Sequence, residues 1–476
     1  MSEQLLSAEY KECEQKLLAI PRFAVKKNSL DSIRSFLTYL GDNADESICT
    51  NLDYRGSRHC GQIPGIFAPL SNIGTKANPL ANCKIIHVAG TNGKGSVCAY
   101  IDSILRHAGL KTGLFCSPHL LTIRERIRIN GEIVSEAVFV FAYRLLCEHM
   151  EGYRTENKID FQPTFFETLF LLSLFIFADE KLDYLILETG IGGRLDATNA
   201  LLHKDLAVIT PIGYDHMEYL GNTHAEIAAE KAGIIRSGVP TVSAVQSAAA
   251  ATVLTRIAAE IGSELTIMEK DAIEIEEITD KGIDFSLQYR YDKRVSFLLP
   301  GGALYQSGNA ALAVTAVLRL DDTAVSNEAL QKGVNRMEWP ARMEELKPRV
   351  FFDGAHNADG IEAFIESARV MTGGEKYLLF AVSRWGQCRE MVTALKEADI
   401  FREIIACPLA NPLTNADSCV DSHKELTALF AVEDIFPDIS KGMAYLTQKK
   451  NEKDYLFIVG SLYSYGEVNE ALEVVH

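Results

Sequence analysis

The stretch Ile85-Ile86-His87-Val88-Ala89-Gly90-Thr91-Asn92-Gly93-Lys94-Gly95-Ser96-Val97 decides the fold. An apolar run suited to a buried strand ends at Gly90. Gly90 is the first of three glycines, with one lysine among them, and an amphipathic helix is predicted from Ser96 to about His107. That order makes a phosphate cradle. Glycines let backbone N–H groups converge on anionic oxygens without a Cβ in the way, the helix start adds the positive end of its dipole, and Lys94 supplies a point charge. A strict Walker A loop reads Gly-Lys-Ser/Thr; here Gly93-Lys94-Gly95-Ser96 is one residue longer.

Working outward, strands are predicted at Cys83–Ala89, Thr112–Cys116, Tyr184–Glu188, Ala207–Thr210 and Pro240–Ala244. Helices between them include Ser96–His107, Thr164–Ala178, Thr223–Ile235 and Ala249–Ile261. This alternation predicts an α/β fold with a doubly wound parallel sheet covered on both faces. Residues 1 to about 40 read as helical and close at Gly41, and Asp42–Asn82 reads as a long loop. Residues 264–300 carry short β-like runs that suggest an antiparallel flap. A second alternating block begins near Pro348, with strands at Val350–Phe352, Tyr377–Val382, Glu403–Cys407 and Tyr455–Val459. The charged segment Glu344–Pro348 is read as a linker, giving domains of 1–345 and 346–476, with a nucleotide held between them.

The bulk properties narrow the function. The 476 residues suffice for two or three cores, and the net charge of −17 argues against nucleic acid or an anionic membrane as partner. Ten scattered cysteines without a Cys-x-x-Cys pair suggest reduced thiols in a cytoplasmic protein. Leu169–Ala178, the most apolar segment, is too short to span a bilayer and is read as a buried helix. Polar clusters follow the predicted strands: Ser117-Pro118-His119-Leu120, Glu188 through Asn199, and Asp215-His216. Glu188, His216 and a hydroxyl, Ser117 or Ser96, make a hard-oxygen and imidazole set able to hold Mg²⁺ against phosphates. The blander readings are a capping acid for Glu188 and a bonded loop histidine for His216, which three clusters at the ends of one sheet's strands outweigh; Lys231, read without relatives, is first a solvated helix lysine paired with Glu230 or Glu226.

These clusters, followed by Glu230-Lys231-Ala232-Gly233-Ile234 and Asp353-Gly354-Ala355-His356-Asn357, resemble in content and order folylpolyglutamate synthase and its bifunctional dihydrofolate synthase relatives, within the Mur ligase superfamily. The resemblance covers about residues 15–470. It implies a P-loop domain followed by a smaller Rossmann-like domain, and a monomeric ligase that uses ATP and Mg²⁺, with room for a monovalent cation. Such a ligase phosphorylates the carboxylate of a folate or dihydropteroate and joins it to L-glutamate through an acyl phosphate. The resemblance assigns Gly90, Thr91, Asn92, Gly93, Lys94, Gly95 and Ser96 to ATP phosphates, and Ser117, Glu188 and His216 to the metal. Lys94, His356 and a carbamylated Lys231 become catalytic, and Asn309 (beside Gln306), Arg342 and Asp353 meet the nucleotide. Thr164, Phe165, Phe166 and Glu167, with Arg194, Leu195 and Asp196, match the pterin pocket, although two phenylalanines at a helix start also suit plain core packing.

Three features depart from the family pattern. Trp339-Pro340-Ala341-Arg342-Met343-Glu344 has alanine where the family has glycine. Ser383-Arg384-Trp385 replaces Asp-Lys-Asp, and Asn411-Pro412-Leu413 replaces Asn-Pro-Arg. The last two leave open a Mur-type ligase for another carboxylate, and a nucleotide-binding protein without turnover. Arg384 is the candidate grip for glutamate, against a bland reading as a surface arginine.

Overall fold

The computed structural model describes residues 3–21, 30–42, 80, 83–279, 282–290, 293–382, 388–409 and 426–474. Most of the 42–82 segment, Ser383-Arg384-Trp385 and Asn411-Pro412-Leu413 lie outside the described residues. The described chain is α/β throughout and forms two compact units. Unit one comprises Met1–Ile212, Glu218–Met268 and Leu312–Gly333; unit two comprises Gly213–Met217, Glu269–Ala311 and Val334–His476. Each unit thus draws on three separate stretches of the chain.

Unit one opens with helices α1 (Glu3–Leu18) and α2 (Leu30–Asp42), the latter running through Gly41. Then come β1 (Lys84–Ala89), α3 (Lys94–His107), β2 (Thr112–Phe115), β3 (Ile127–Ile129), β4 (Glu132–Ile133), α4 (Glu136–Asn157), α5 (Phe165–Asp179), β5 (Tyr184–Glu188), β6 (Leu206–Ile209), α6 (Met217–Leu220), α7 (His224–Lys231), β7 (Thr241–Ser243), α8 (Ala248–Ile261) and β8 (Leu265–Ile267). The sheet order is β4-β3-β2-β5-β1-β6-β7-β8. It is parallel from β2 to β8, while β3 and β4 add an antiparallel edge that the strand alternation did not foretell. Strand β1 lies centrally, with Val88 opposite Glu188 and Ala89 opposite Ile209. The ladder continues one residue past each flank, Thr189 N donating to Val88 O and Thr210 N to Ala89 O. Three strand ends therefore converge on the Gly90 turn, at the carboxyl edge where parallel sheets carry their sites.

Helix α5 reads Phe-Phe-Glu-Thr-Leu-Phe-Leu-Leu-Ser-Leu-Phe-Ile-Phe-Ala-Asp, and every residue from Thr168 to Ala178 is buried. An apolar surface all round requires burial on all sides. The 22-residue α4, missed by the sequence reading, packs beside it. Its apolar positions are interleaved with Arg144, Glu148 and Arg154, so no clean stripe announces it. Strand β8 belongs to the large sheet, so the flap expected over 264–300 starts only after it.

That flap is the antiparallel sheet β9 (Ile273–Thr279), β10 (Gly282–Arg290) and β11 (Lys293–Pro300), ordered β11-β10-β9. Helices α9 (Tyr305–Arg319) and α10 (Asn327–Asn335) follow. A second sheet contains β12 (Glu344–Lys347), β13 (Val350–Phe352), β14 (Lys376–Val382), β15 (Glu403–Pro408) and β16 (Tyr455–Val459), ordered β12-β13-β16-β14-β15. Helices α11 (Ala358–Val370), α12 (Cys388–Glu397), Ile439–Lys449 and Tyr465–Val474 accompany it. The supposed linker Glu344–Pro348 is corrected here: Glu344–Lys347 forms an edge strand antiparallel to β13. Charged side chains are well tolerated on an edge strand, which is why it read as a linker.

The turn before β12 is strained. Ala341 is fully buried at φ +62° and Met343 has φ +47°, both in the left-handed region that disfavours a Cβ. Gly354 N donates to Ala341 O at 2.9 Å and Ala341 N donates to Glu344 Oε2 at 2.6 Å, so the turn is pinned from both sides. Ala341→Gly should relieve that strain. After allowing for the looser unfolded chain, the variant should be about 0.5–1 kcal/mol more stable, read as a higher urea midpoint. An unchanged or lower midpoint would show that the backbone is not strained at Ala341.

Candidate active site

Gly90 has φ +152°, and a Cβ built there would lie 1.8 Å from Thr210 Oγ1, so only glycine fits. Gly93 follows at φ +85° and caps α3 without any side-chain bond, leaving the first turn of α3 directed at the loop. Thr91 N donates to Pro211 O at 2.9 Å, tying the loop to the end of β6. Two lysines converge on one carbonyl. Lys94 Nζ donates to Gly90 O (3.2 Å) and Thr91 O (3.0 Å), and Lys231 Nζ donates to Gly90 O at 2.6 Å. Lys231 is 3% exposed at the end of α7, which stops there and gives way to the 3-10 turn Ala232–Ile234 rather than continuing to Ile235. The solvated-lysine reading is thus excluded.

Glu188, 3% exposed, ends β5, and its Oε2 accepts the Ser117 N–H at 2.8 Å, so these two predicted metal residues are brought together. Ser96 is buried in the first turn of α3. Burial, reinforced by the Glu188 carboxylate, pushes the Cys98 and Cys116 thiols up and keeps them unreactive. All seven described cysteines are free thiols. No cluster of three or more His, Cys, Asp and Glu side chains suited to a metal occurs among the described residues. A metal held jointly by phosphates and water needs only one or two protein ligands. Two buried hydroxyls, Thr189 Oγ1 and Thr210 Oγ1, lack a hydrogen-bond partner on either side of Gly90. Orphaned donors beside a glycine cradle fit an anion with its hydrated cation.

The other predicted residues of unit one are mostly held by one another. Thr164 and Glu167 form a capping box, Thr164 N donating to Glu167 Oε2 at 2.8 Å and Glu167 N to Thr164 Oγ1 at 3.4 Å. Phe165 is buried in the core, and the Arg126 guanidinium lies 5.3 Å from its ring. Arg126 Nε also donates to His119 Nδ1 at 2.9 Å, linking two motifs far apart in sequence. Phe166 lies across Gly190, where a Cβ would come within 2.8 Å of its ring. Arg194 pairs with Glu230 at 2.7 Å, and Leu195 is exposed. Asp196 accepts from Gly190 N (2.8 Å), Ile191 N (3.1 Å) and Thr198 N (3.0 Å). Burial pushes its carboxyl up while these bonds draw it back.

In unit two, Asp353 is 3% exposed and accepts from Tyr305 Oη (2.5 Å), Met343 N (2.9 Å) and Ala355 N (2.8 Å). Burial raises its carboxyl, and Tyr305 and the Arg342 charge oppose that rise. Tyr305 was not singled out from sequence, because its partner lies 48 residues away. His356 is exposed and its Nδ1–H donates to Gly354 O at 2.8 Å. Asn309 Nδ2 donates to Gln306 Oε1 at 2.9 Å. His216 adopts φ +49°, with its N–H on Asp215 Oδ1 at 2.8 Å. His216, Asn309, Arg342, Asp353 and His356 fall in unit two; the loop, Ser117, Glu188 and Lys231 fall in unit one.

Sequence reasoning missed the buried polar group behind the β5 turn. His87, in β1, bonds Thr198 Oγ1 at 2.7 Å, and Thr198 Oγ1 donates to Asp196 Oδ1. The threonine proton goes to the carboxylate, so His87 Nε2 carries the hydrogen. Burial, with the charges of Lys204 and Arg236, holds the His87 pKa far below its ordinary value, so the ring is neutral. Lys204 is 2% exposed, and its Nζ donates to Asn199 Oδ1 at 2.5 Å. Burial first, then Arg236 and Arg34, push the Lys204 pKa well below the usual lysine value. The unfolded chain then holds the extra proton, so native stability rises with pH up to the ordinary lysine value near 10.5. Relative to Lys204→Met, the wild type should therefore gain stability between neutrality and about pH 9.5 in denaturant titrations. Parallel pH profiles would mean that the buried amine titrates normally.

Residues 88–317 match the Mur ligase middle domain family. The chain is 33% identical over 427 residues to the dihydrofolate synthase/folylpolyglutamate synthase of Bacillus subtilis, spanning 87% of this chain and 96% of that protein. It is also 33% identical over 299 residues to the folylpolyglutamate synthase of Lacticaseibacillus casei, spanning 61% of this chain and 69% of that one. Its fold superposes on a bifunctional folylpolyglutamate synthase/dihydrofolate synthase from Yersinia pestis with a TM-score of 0.75, 25% identity and 98% of both chains covered. A structure of such a bifunctional enzyme with Mn, AMPPNP and L-glutamate bound gives a TM-score of 0.71 and 27% identity, over 85% of this chain and 93% of that one. With an intact glycine cradle, a buried glutamate and lysine at its rim, and a relative matched over nearly its whole length, the chain belongs to the folylpolyglutamate synthase/dihydrofolate synthase family.

Proposed function

We infer that this protein is an ATP-dependent ligase that adds L-glutamate to a folate. The observation that carries the reading is the convergence of Lys94, Lys231 and the orphaned Thr189 and Thr210 hydroxyls on the Gly90 turn, beside the buried Glu188. A cradle of glycine N–H groups, a helix start and a lysine meets the charge of a triphosphate in a protein whose overall charge of −17 would otherwise repel it. The relative solved with Mn, an ATP analogue and L-glutamate supports a divalent metal acting with ATP; Mg²⁺ is the ion we propose. Glu188, Ser117 and His216 would hold it, and bound there it would neutralise charge on the transferring phosphoryl group.

In the proposed reaction the folate carboxylate takes the γ-phosphoryl group, releasing ADP. The glutamate amine then attacks the acyl phosphate, forming the amide and releasing phosphate and a proton. Lys94 and Arg342 would stabilise negative charge on the transferring oxygens. His356 is proposed near the acyl phosphate, and Asn309 and Asp353 at the nucleotide. Lys231 is proposed as the carbamylated lysine: its ammonium loses one proton, and adding CO₂ to the neutral amine releases a second, so a cation becomes an anion. Phe166, Arg194, Leu195 and Asp196 are proposed to line the pterin pocket together with Thr164, Phe165 and Glu167. A C-terminal ligase domain of about 346–476 and action as a monomer in the cytoplasm complete the proposal. Among the described residues, no helix is long and apolar enough to cross a membrane. Whether tetrahydrofolate or dihydropteroate is the better acceptor is a matter for a substrate panel. ADP release should require glutamate plus one of these two, and ADP formed equally without either would overturn the reading.

Lys94→Ala should lower kcat by roughly 100-fold or more with an unchanged circular dichroism spectrum, as expected when a charge-stabilising donor is removed. Wild-type turnover in the folded variant would remove Lys94 from the phosphate cradle. Glu188→Gln keeps the shape and the bond from Ser117 but removes the charge. Its half-saturating Mg²⁺ concentration should rise about tenfold or more. A wild-type magnesium titration would make Glu188 a capping acid.

A further inference from the structure

Asn199 is 2% exposed, and its side chain makes four hydrogen bonds, the full capacity of an amide. Nδ2 donates to Arg194 O at 3.1 Å and Gly233 O at 3.0 Å, while Oδ1 accepts from Lys204 Nζ at 2.5 Å and Arg236 Nη2 at 2.6 Å. The amide cannot flip, since that would set NH₂ against the Arg236 guanidinium, which has no acceptor, and oxygen against two carbonyls. Its two donor bonds straddle a backbone-to-backbone contact. A Cβ on Gly233 would lie 2.3 Å from Arg194 Cα, and one on Gly193 would lie 2.8 Å from Lys231 O. Arg194 N donates to Glu230 O at 2.8 Å across the same seam. One side of the seam is the turn that begins at Glu188; the other is the end of α7 that carries Lys231.

We propose that Asn199 is a positioning residue for the ligase reaction: by stapling the 193–194 turn to the 230–233 turn, it holds Lys231 and Glu188 in the register that phosphate and metal binding need. Asn199 touches no reacting atom. It acts through Lys231, whose Nζ reaches Gly90 O only while α7 ends where the seam fixes it. The inference rests on the functional reading above. A shift of about 1 Å at a reacting group is enough to slow a reaction roughly 100-fold, so a staple of this kind matters to rate as well as to stability.

The test uses the whole chain with Asn199→Asp, which keeps partners for Lys204 and Arg236 but sets oxygen against the Arg194 and Gly233 carbonyls, and the milder Asn199→Ser. Two readouts are taken per folded molecule: steady-state kinetics, and Mn²⁺ affinity measured by electron paramagnetic resonance with a non-hydrolysable ATP analogue. We expect weaker Mn²⁺ binding, about tenfold for a group that orients a ligand, with a lower kcat and an unchanged KM for glutamate. Wild-type Mn²⁺ affinity and kcat in folded variants that only melt earlier would overturn the proposal, as would failure of both variants to fold. If the wild type itself needs no divalent metal, or Glu188→Gln leaves the metal titration unchanged, the functional reading fails instead.

Discussion

A missing side chain at Gly90 governs the carboxyl edge of the large sheet. With no Cβ there, Thr210 packs against the backbone, the chain turns directly from β1 into the glycine loop, and the Gly90 carbonyl stays open to Lys94 and Lys231. Any larger residue would displace β6 from β1 and break the ladder that sets Thr189 and Thr210 beside the loop. Glu188 comes to the same rim because β5 is the other neighbour of β1. The cradle and its acid are thus consequences of one strand order.

Burial raises the stakes of every charge around this rim. Removing an ionised group from water costs several kcal/mol unless partners replace the solvent. Asp196 is compensated by three backbone N–H groups, and Asp353 by two backbone N–H groups and a tyrosine hydroxyl. Lys204 is the exception: it shares a neutral amide oxygen with the Arg236 guanidinium, with Arg34 a second guanidinium nearby, and burial and these two charges favour its neutral amine. A protein that tolerates this arrangement gains a turn whose geometry is fixed by saturated hydrogen bonds rather than by apolar packing, which places backbone atoms less exactly.

The same view explains why some residues proposed for the pterin pocket have a structural side. Thr164 and Glu167 complete each other's bonds at the start of α5, and Asp196 closes the turn after β5. They set where Phe166 meets Gly190 and where the turn leads. A residue can shape a pocket through the backbone it holds.

The sequence alone determined the glycine loop, the alternation of strands and helices, and the burial of α5. Each of these depends on local causes: a Cβ-free turn, a periodicity and an unbroken apolar run. It also singled out Glu188 and Ser117, because one closes a recognisable strand and the other lies just past one; a hydrogen bond joins the two. The edge strand Glu344–Lys347, the long helix α4 and the assignment of β8 to the large sheet were hidden, since charge and mixed periodicity make an edge strand look like a linker and a half-covered helix look like a loop. Only the tertiary structure decided that Lys231 is buried against Gly90, that Ala341 sits in a left-handed turn, and that Asn199 bonds Gly233 across 34 residues. Those outcomes depend on which distant segments the sheet order brings together, and a side chain's partners across such a distance leave no trace in its own neighbourhood of the sequence.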